Sequence, residues 1–400
     1  MGVYLDHAAT TPLRPEARDA WLEATRVAGN ASSIHGAGQD ARRLLEDARE
    51  QVAAAVGCEP IEVVFTSGGT ESVNLAVRGL WRARRAATEA SGIVLPDAEH
   101  HATLDAVRWL EAAEQAPVFA VPVDEAARVS STAFSRAVAQ PGVALATVLA
   151  ANNEVGSLQP LPELAMASSD AQVPLHVDAV GAFGHTPLSF SELRGTASGA
   201  TGLTAMSVSA HKVGGPVGVG ALVVSRHATL EPLLHGGGQQ RGIRPGTQDV
   251  AGAAAFAIAA RLAVAELAEE SDRLAGLRER LEAGVRAAMP EAIVSGHGVE
   301  RLPGHLHVIL PGAQGDSLLL LLDMAGIAVS TGSACQAGVP EPSHVLLAMG
   351  ADEQLARGAL RFTLGRTTTE ADIDAVLHAL PAAYERARRA GLSSRRVTHG

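Results

Sequence analysis

The sequence predicts an α/β protein built on a largely parallel sheet with helices on both faces. Three observations carry that expectation. Seven short apolar runs recur between residues 61 and 224, helical patterns separate most of them, and Leu, Val and Ala rather than aromatics supply the apolar content. Strands and helices alternating at this rhythm imply crossover connections and a sheet buried on both sides. The chain has 400 residues, 47% of them hydrophobic and 3% aromatic. Cores tend to divide beyond about 250–300 residues, so one large and one smaller domain are expected.

Along the chain, a Pro-containing entry at Thr11, Pro12 and Pro15 precedes residues 15–56, which read as mostly helical. Leu44, Leu45, Ala48, Val52 and Ala55 recur there at helical spacing with charges between them. Residues 61–66 read as a strand that runs into Ser67-Gly68-Gly69-Thr70 and a second helix through Leu80. Further strands are expected at residues 92–95, 117–121, 143–149, 175–177, 205–209 and 219–224. An Ala-rich helical stretch covers about residues 250–290, and the domain change is placed near residue 255. Beyond it come a helix-like stretch at 318–324 and strand-like pieces at 306–310, 327–329 and 359–364. A closing helix is expected from Glu370 to about Arg389, its last turn overlapped by an Arg-rich tail.

The formal charge of -11 argues against a nonspecific nucleic-acid binder, and no direct nucleic-acid partner is expected. Two cysteines, Cys58 and Cys335, cannot build a disulfide framework, which favours a reducing compartment. No basic region followed by an apolar one is visible at the N-terminus. Residues 250–264 are Ala-rich and read as a buried helix rather than a membrane span. A cytoplasmic protein without membrane contact is the expectation.

Sites in parallel sheets gather outside the carboxyl ends of strands, and the unusual polar residues here follow apparent strands. Ser67-Gly68-Gly69-Thr70 leads from strand to helix, where unpaired N–H groups and the helix dipole favour an anion. It reads equally as a tight turn and cap, and it lacks the lysine of a P-loop. Lys212 follows a strand-like run among small residues, a setting in which a neutral amine can form a Schiff base. Asp178 ends another strand, where a carboxylate can pair with the protonated pyridine nitrogen of pyridoxal 5′-phosphate (PLP). Singly, the lysine is a surface residue and the aspartate a strand-end cap; together with the cradle they point to PLP.

Cys335 lies in the polar, glycine-containing run Ser330-Thr331-Gly332-Ser333-Ala334-Cys335-Gln336-Ala337-Gly338, which reads as an exposed, flexible loop. A thiol so placed suits chemistry in which sulfur must travel. Cys58 sits in a helix-to-strand connection and is read as structural or incidental. His7, His35 and His101 show no ligand spacing, so no intrinsic metal site is expected.

Several runs carry a family resemblance. They are Tyr4-Leu5-Asp6-His7-Ala8-Ala9-Thr10-Thr11-Pro12, Gly29-Asn30-Ala31-Ser32-Ser33-Ile34-His35 and Thr66-Ser67-Gly68-Gly69-Thr70-Glu71-Ser72. Others are Glu99-His100-His101-Ala102, Asn152-Asn153-Glu154-Val155-Gly156, His235-Gly236-Gly237-Gly238, Ser333-Ala334-Cys335 and Arg361-Phe362-Thr363-Leu364-Gly365. On these the sequence resembles cysteine desulfurases of the NifS/IscS type, within the class V aminotransferase family of PLP enzymes. The resemblance implies the PLP-dependent transferase fold of type I. That fold has a mostly parallel, mixed seven-stranded sheet in a large domain, here residues 14–254. A smaller α/β domain, residues 1–13 and 255–400, would carry the catalytic cysteine loop.

The resemblance further implies that Lys212 holds PLP, Asp178 pairs with its ring nitrogen, and His100 covers the ring and assists proton transfers. Gly69, Thr70, Ser209 and His211 would hold the phosphate, with Thr247 supplied by the second subunit of a homodimer. Asn153 would approach the cofactor hydroxyl and the substrate, and Arg361 would clamp the carboxylate of L-cysteine. Cys335 would take sulfur as a persulfide, leaving L-alanine. It would then deliver that sulfur to an iron–sulfur scaffold protein, whose cluster it can contact, or to a tRNA-thiolation acceptor. His35 would line the entrance or the dimer seam. One position departs from the family pattern: Gly181 stands where glutamine is usual, which removes a donor near the cofactor's ring oxygen. A selenocysteine or β-elimination lyase, needing no cysteine carrier, and a weakly catalytic scaffold for sulfur-transfer partners are the other readings.

Overall fold

The computed structural model describes residues 2–332 and 342–397, the last eight of these for their helical path alone. Strands are Val3–Tyr4 (β1), Val63–Thr66 (β2), Gly92–Pro96 (β3), Val118–Val121 (β4), Val143–Leu149 (β5) and Pro174–Asp178 (β6). They continue with Gly202–Ser209 (β7), Gly220–Val224 (β8), Ile293–Ser295 (β9), His305–Ile309 (β10), Ile327–Ala328 (β11) and Ala359–Thr363 (β12).

Seven of them form one sheet in the order β2-β8-β7-β6-β5-β3-β4. All its pairings are parallel except those of β8, which runs antiparallel to both β2 and β7. Every residue of β5 and β7 is buried, the condition of strands covered on both faces. Their β-branched and small residues satisfy that demand without the bulk that aromatics would add. Inside this apolar layer His176 bridges three strands. Its Nδ1 lies 2.9 Å from Thr147 Oγ1 on β5 and its Nε2 2.8 Å from Ser207 Oγ on β7. Burial pushes the imidazole down to about 3, so it spans the sheet as a neutral ring.

The helical stretch expected over residues 15–56 divides into Pro15–Ala24 and Gly36–Val56. His35 marks the break: its Nδ1 accepts the N–H of Gly38 at 3.3 Å and caps the second helix. Gly57 ends that helix in the left-handed region, φ 73°. The Ala-rich stretch likewise divides into Val250–Ala265 and Leu267–Ala288, bent by 69°. Ala255, Phe256, Ala259 and Ala263 of the first helix join the core of the large sheet, while Leu274, Leu281 and Val285 of the second join a separate core.

That second core packs against an antiparallel sheet β12-β10-β9 and includes Leu5 from the N-terminal segment. The small parallel pair β1-β11 ties the N-terminus beside it. The closing helix runs Glu370–Val397, beyond the end expected near Arg389. Among the described residues no single helix is long and apolar enough to cross a bilayer.

Candidate active site

The carboxyl ends of β2, β3, β5, β6 and β7 face one cavity of about 450 Å3, closed from the other side by residues of the second core's sheet and by the N-terminal segment. Each strand end delivers a residue there by a local device. After β2 the chain passes Gly68, whose φ of 145° lies where only glycine is at ease, and enters helix Gly69–Thr88. A Cβ at Gly69 would fall 2.7 Å from Val180 Cγ2, so that position too is held to glycine by close approach. Gly69 and Thr70 therefore present the helix N-terminus to the cavity. Ser209, the last residue of β7, is 1% exposed and its buried Oγ has no partner among the described residues. It lies 3.9 Å from where a Cβ on Gly68 would sit, so an unsatisfied hydroxyl faces the glycine turn.

Asp178 ends β6 and turns the chain by accepting the N–H of Val180 on Oδ1 at 3.0 Å. Burial raises its carboxyl to about 6, against the opposing pull of that N–H and of the Lys212 cation. Lys212 closes the single turn Ala210–Lys212 after β7. Its Nζ donates to the main-chain oxygens of Ala8 and, at 3.0 Å, Ala9, so the N-terminal segment caps the amine. Burial, then the neighbouring Arg361, lowers the amine to about 8 although Asp6 and Asp178 favour its charge. His211, beside it, has Nδ1 3.3 Å from Thr10 Oγ1.

His100 begins helix His101–Glu114, its Nδ1 accepting the N–H of Ala102 at 3.1 Å, and its ring opens on the cavity. Its desolvated setting and the cations around it, Lys212 first, push it down to about 4 and keep it neutral. Arg361 comes from β12 on the opposite wall. It donates to the main-chain oxygen of Asn153 at 2.8 Å and to Asp6 Oδ1 at 3.0 Å, while its buried Nε has no partner among the described residues. Asn153 Oδ1 is likewise buried without a partner among the described residues.

Lys212, His100, Asp178, Gly69, Thr70, Asn153, His211 and Arg361 all line this one cavity, as does Gly181, where a Cβ would meet nothing within 4 Å. Thr247 is exposed and lies apart from that lining. Cys335 lies outside the described residues; on either side of it Ser330, Gly332 and His344 line the cavity. Residue-by-residue reading missed Asp6, His185, His305 and His344, of which Asp6 stood in a run quoted for the family and the others gave no signal. His35 caps its helix and is not among the lining residues. Cys58 packs against the large core, and burial raises its thiol to about 12. At pH 8 it then holds about a thousandfold less thiolate than a free cysteine. Iodoacetamide is expected to leave Cys58 unmodified in native protein and to label it in urea, read by peptide mass.

A neutral-leaning lysine and a buried carboxylate at the edge of such a sheet, beside a helix N-terminus with an unsatisfied hydroxyl, suit an anionic pyridine aldehyde. The fold and this donor set define a PLP-dependent enzyme. The aminotransferase class-V family model matches residues 3–376, and the chain belongs to that family. It is 50% identical over 394 residues to the IscS-like cysteine desulfurase of Mycobacterium tuberculosis, covering 98% of each chain. A solved NifS-like protein superposes with a TM-score of 0.87 at 34% identity, over 96% of this chain and 99% of that one. A structure described as SspA in complex with cysteine matches with a TM-score of 0.78 at 28% identity, over 90% of this chain and 98% of that one.

Proposed function

We propose that the protein is a cysteine desulfurase that converts L-cysteine to L-alanine and passes the sulfur, as a persulfide on Cys335, to an iron–sulfur assembly or tRNA-thiolation acceptor. The observation that carries this reading is the single cavity uniting Lys212, Asp178, His100 and Arg361 between the two ends of the segment that bears Cys335. The names of the relatives agree with it.

Gly69, Thr70, Ser209 and His211 would hold the cofactor phosphate, with Thr247 reaching it from the second copy of a homodimer. Asp178 would hold the ring nitrogen's proton by charge. When bound, PLP supplies a sink for the electron pair released at the substrate Cα. Arg361 receives the substrate carboxylate and Asn153 orients it. The neutral Lys212 amine takes the Cα proton and later returns it. His100, neutral at pH 7, accepts the proton of the Cys335 thiol. The Cys335 thiolate attacks the substrate sulfur, which keeps its proton, the carbon–sulfur bond breaks, and the proton held by His100 goes to Cβ to complete L-alanine. One cysteine thiol and one L-cysteine thus become one persulfide and one L-alanine.

Two cores support a two-unit organisation, residues 14–254 beside residues 1–13 and 255–400. The division is better set at the bend after Ala265, since Ala255–Ala263 pack with the large sheet. The reading carries with it a cytoplasmic setting, supported by the presence of only two cysteines in a chain of this length.

Incubating the PLP-loaded protein with L-cysteine should yield alanine and a Cys335 peptide heavier by one sulfur. Cys335→Ala is expected to lose persulfide transfer to an acceptor protein by at least about a hundredfold while still binding L-cysteine. Full transfer by that variant would end the carrier role and favour a lyase that releases free sulfide.

A further inference from the structure

The residue before His100 carries a buried acid that the reaction above does not use. Glu99 is 1% exposed; its Oε1 accepts the N–H of Leu149 at 2.8 Å, and its buried Oε2 has no partner among the described residues. Leu149 ends β5 directly opposite Asp178 at the end of β6, on strands about 4.8 Å apart. Two carboxyl groups therefore lie near one another at the carboxyl ends of adjacent interior strands, and their surroundings differ. Asp178 has the Val180 N–H and the Lys212 cation acting in favour of its charge. Glu99 has one N–H, and the charge of Asp178 acts against its ionisation. Two further titratable groups lie at the same turn, His100, next in the chain, and His344. The latter's Nε2 lies 2.8 Å from the main-chain oxygen of Glu99. Both rings are shifted towards their neutral forms by burial, so neither offers a counter-charge.

We propose that Glu99 is a protonated positioning residue, whose neutral carboxyl pins the turn before His100 to the end of β5 and leaves the negative charge at these strand ends to Asp178. A buried carboxylate with one hydrogen bond and a like charge alongside is costly, whereas the acid form needs no counter-ion. Burial raises the Glu99 carboxyl to about 8, in the direction this geometry requires. The same turn is held by Asn152 Nδ2 on the Ala98 oxygen at 3.1 Å and by His344 on the Glu99 oxygen. Three contacts thus set where the His100 ring enters the cavity. Environment here separates two neighbouring carboxyls into an acid and an anion. The consequence for Asp178 rests on its reading as the ring-nitrogen partner; the protonation state of Glu99 does not.

Glu99→Gln keeps an oxygen for the Leu149 N–H and has no proton to lose, so it separates charge from shape. The sign of the pH effect follows from the raised folded value. Below pH 4.5 the acid is neutral folded and unfolded; between 4.5 and about 8 only the unfolded chain ionises, which favours unfolding. Urea unfolding of PLP-loaded protein, at equal free PLP, should therefore show the wild-type unfolding constant rising relative to Glu99→Gln. The expected rise is about tenfold per pH unit from about pH 5 to pH 8. The infrared carbonyl band of a protonated carboxyl, present in wild type at pH 7, should vanish in that variant. A pH-independent ratio, or an unchanged band, would overturn the protonation. For the positioning role, Glu99→Ala should shift the visible absorption of bound PLP while Glu99→Gln retains it; a wild-type spectrum in Glu99→Ala would overturn that role. Should the protein fail to hold PLP at all, the unfolding ratio and the infrared band still read Glu99.

Discussion

Lys212→Ala is expected to lose the visible absorption of bound PLP on gel filtration and to lower kcat by at least about a thousandfold, the scale of general acid–base catalysis. The amine is strongly altered by its place in the cavity. At an unperturbed 10.5, about one lysine in 300 would be neutral at pH 8; at about 8, half are. Burial supplies that change, and Arg361 adds to it by repulsion. The side chain meets the N-terminal segment through two main-chain oxygens, Ala8 and Ala9, which water can satisfy once it is gone. Fold loss is therefore not the expected cause of inactivity, and circular dichroism and the urea midpoint should remain close to wild type. Removing a desolvated cation also relieves a cost, which works against destabilisation. A variant that stays coloured after gel filtration and turns over normally would remove Lys212 from the chemistry.

Lys212 and Asp178 were legible in the sequence because strand ends in a parallel sheet are where sites collect, and both residues close apolar runs that read as strands. Six of the seven strands of the large sheet were legible because continuous burial writes itself as short, mostly apolar runs, and β4, only partly buried at the end of the sheet, was legible from its apolar Val118-Phe119-Ala120-Val121 alone. β1 and β9 were not. They have two and three residues, too few for any periodicity to accumulate, whereas the equally short β11 was marked by the apolar helix-like stretch before it. The Ala-rich stretch concealed its own bend, since Ala suits either core and marks neither. His176 was hidden inside a strand because its two hydroxyl partners sit 29 and 31 residues away. Likewise the pairing of Asp6 with Arg361 spans 355 residues, a separation no local pattern encodes. Glu99 was quoted for resemblance alone, and only burial with one unsatisfied oxygen gives it chemical content.

Arg361→Ala is expected to lower kcat/KM for L-cysteine by roughly 10- to 150-fold, the equivalent of losing one hydrogen bond to a charged group worth about 1.5–3 kcal/mol. Two effects compete in this variant. The guanidinium, with a side chain 7% exposed, already donates to Asn153 and to Asp6, so its loss also strands the Asp6 carboxylate. That carboxylate is 21% exposed and can recover water, which keeps the structural penalty below the binding penalty. Asp6→Asn separates the two: it weakens the strut but leaves the fork, so KM should rise only a few-fold. Arg361→Lys should not rescue, because a single ammonium cannot hold Asp6, the Asn153 oxygen and a carboxylate in one plane. Removing Arg361 also removes a repulsion on Lys212, so the lysine of an apoprotein variant should titrate higher than in wild type. A kcat/KM within twofold of wild type, with a lowered urea midpoint, would reduce Arg361 to a strut between the N-terminal segment and β12.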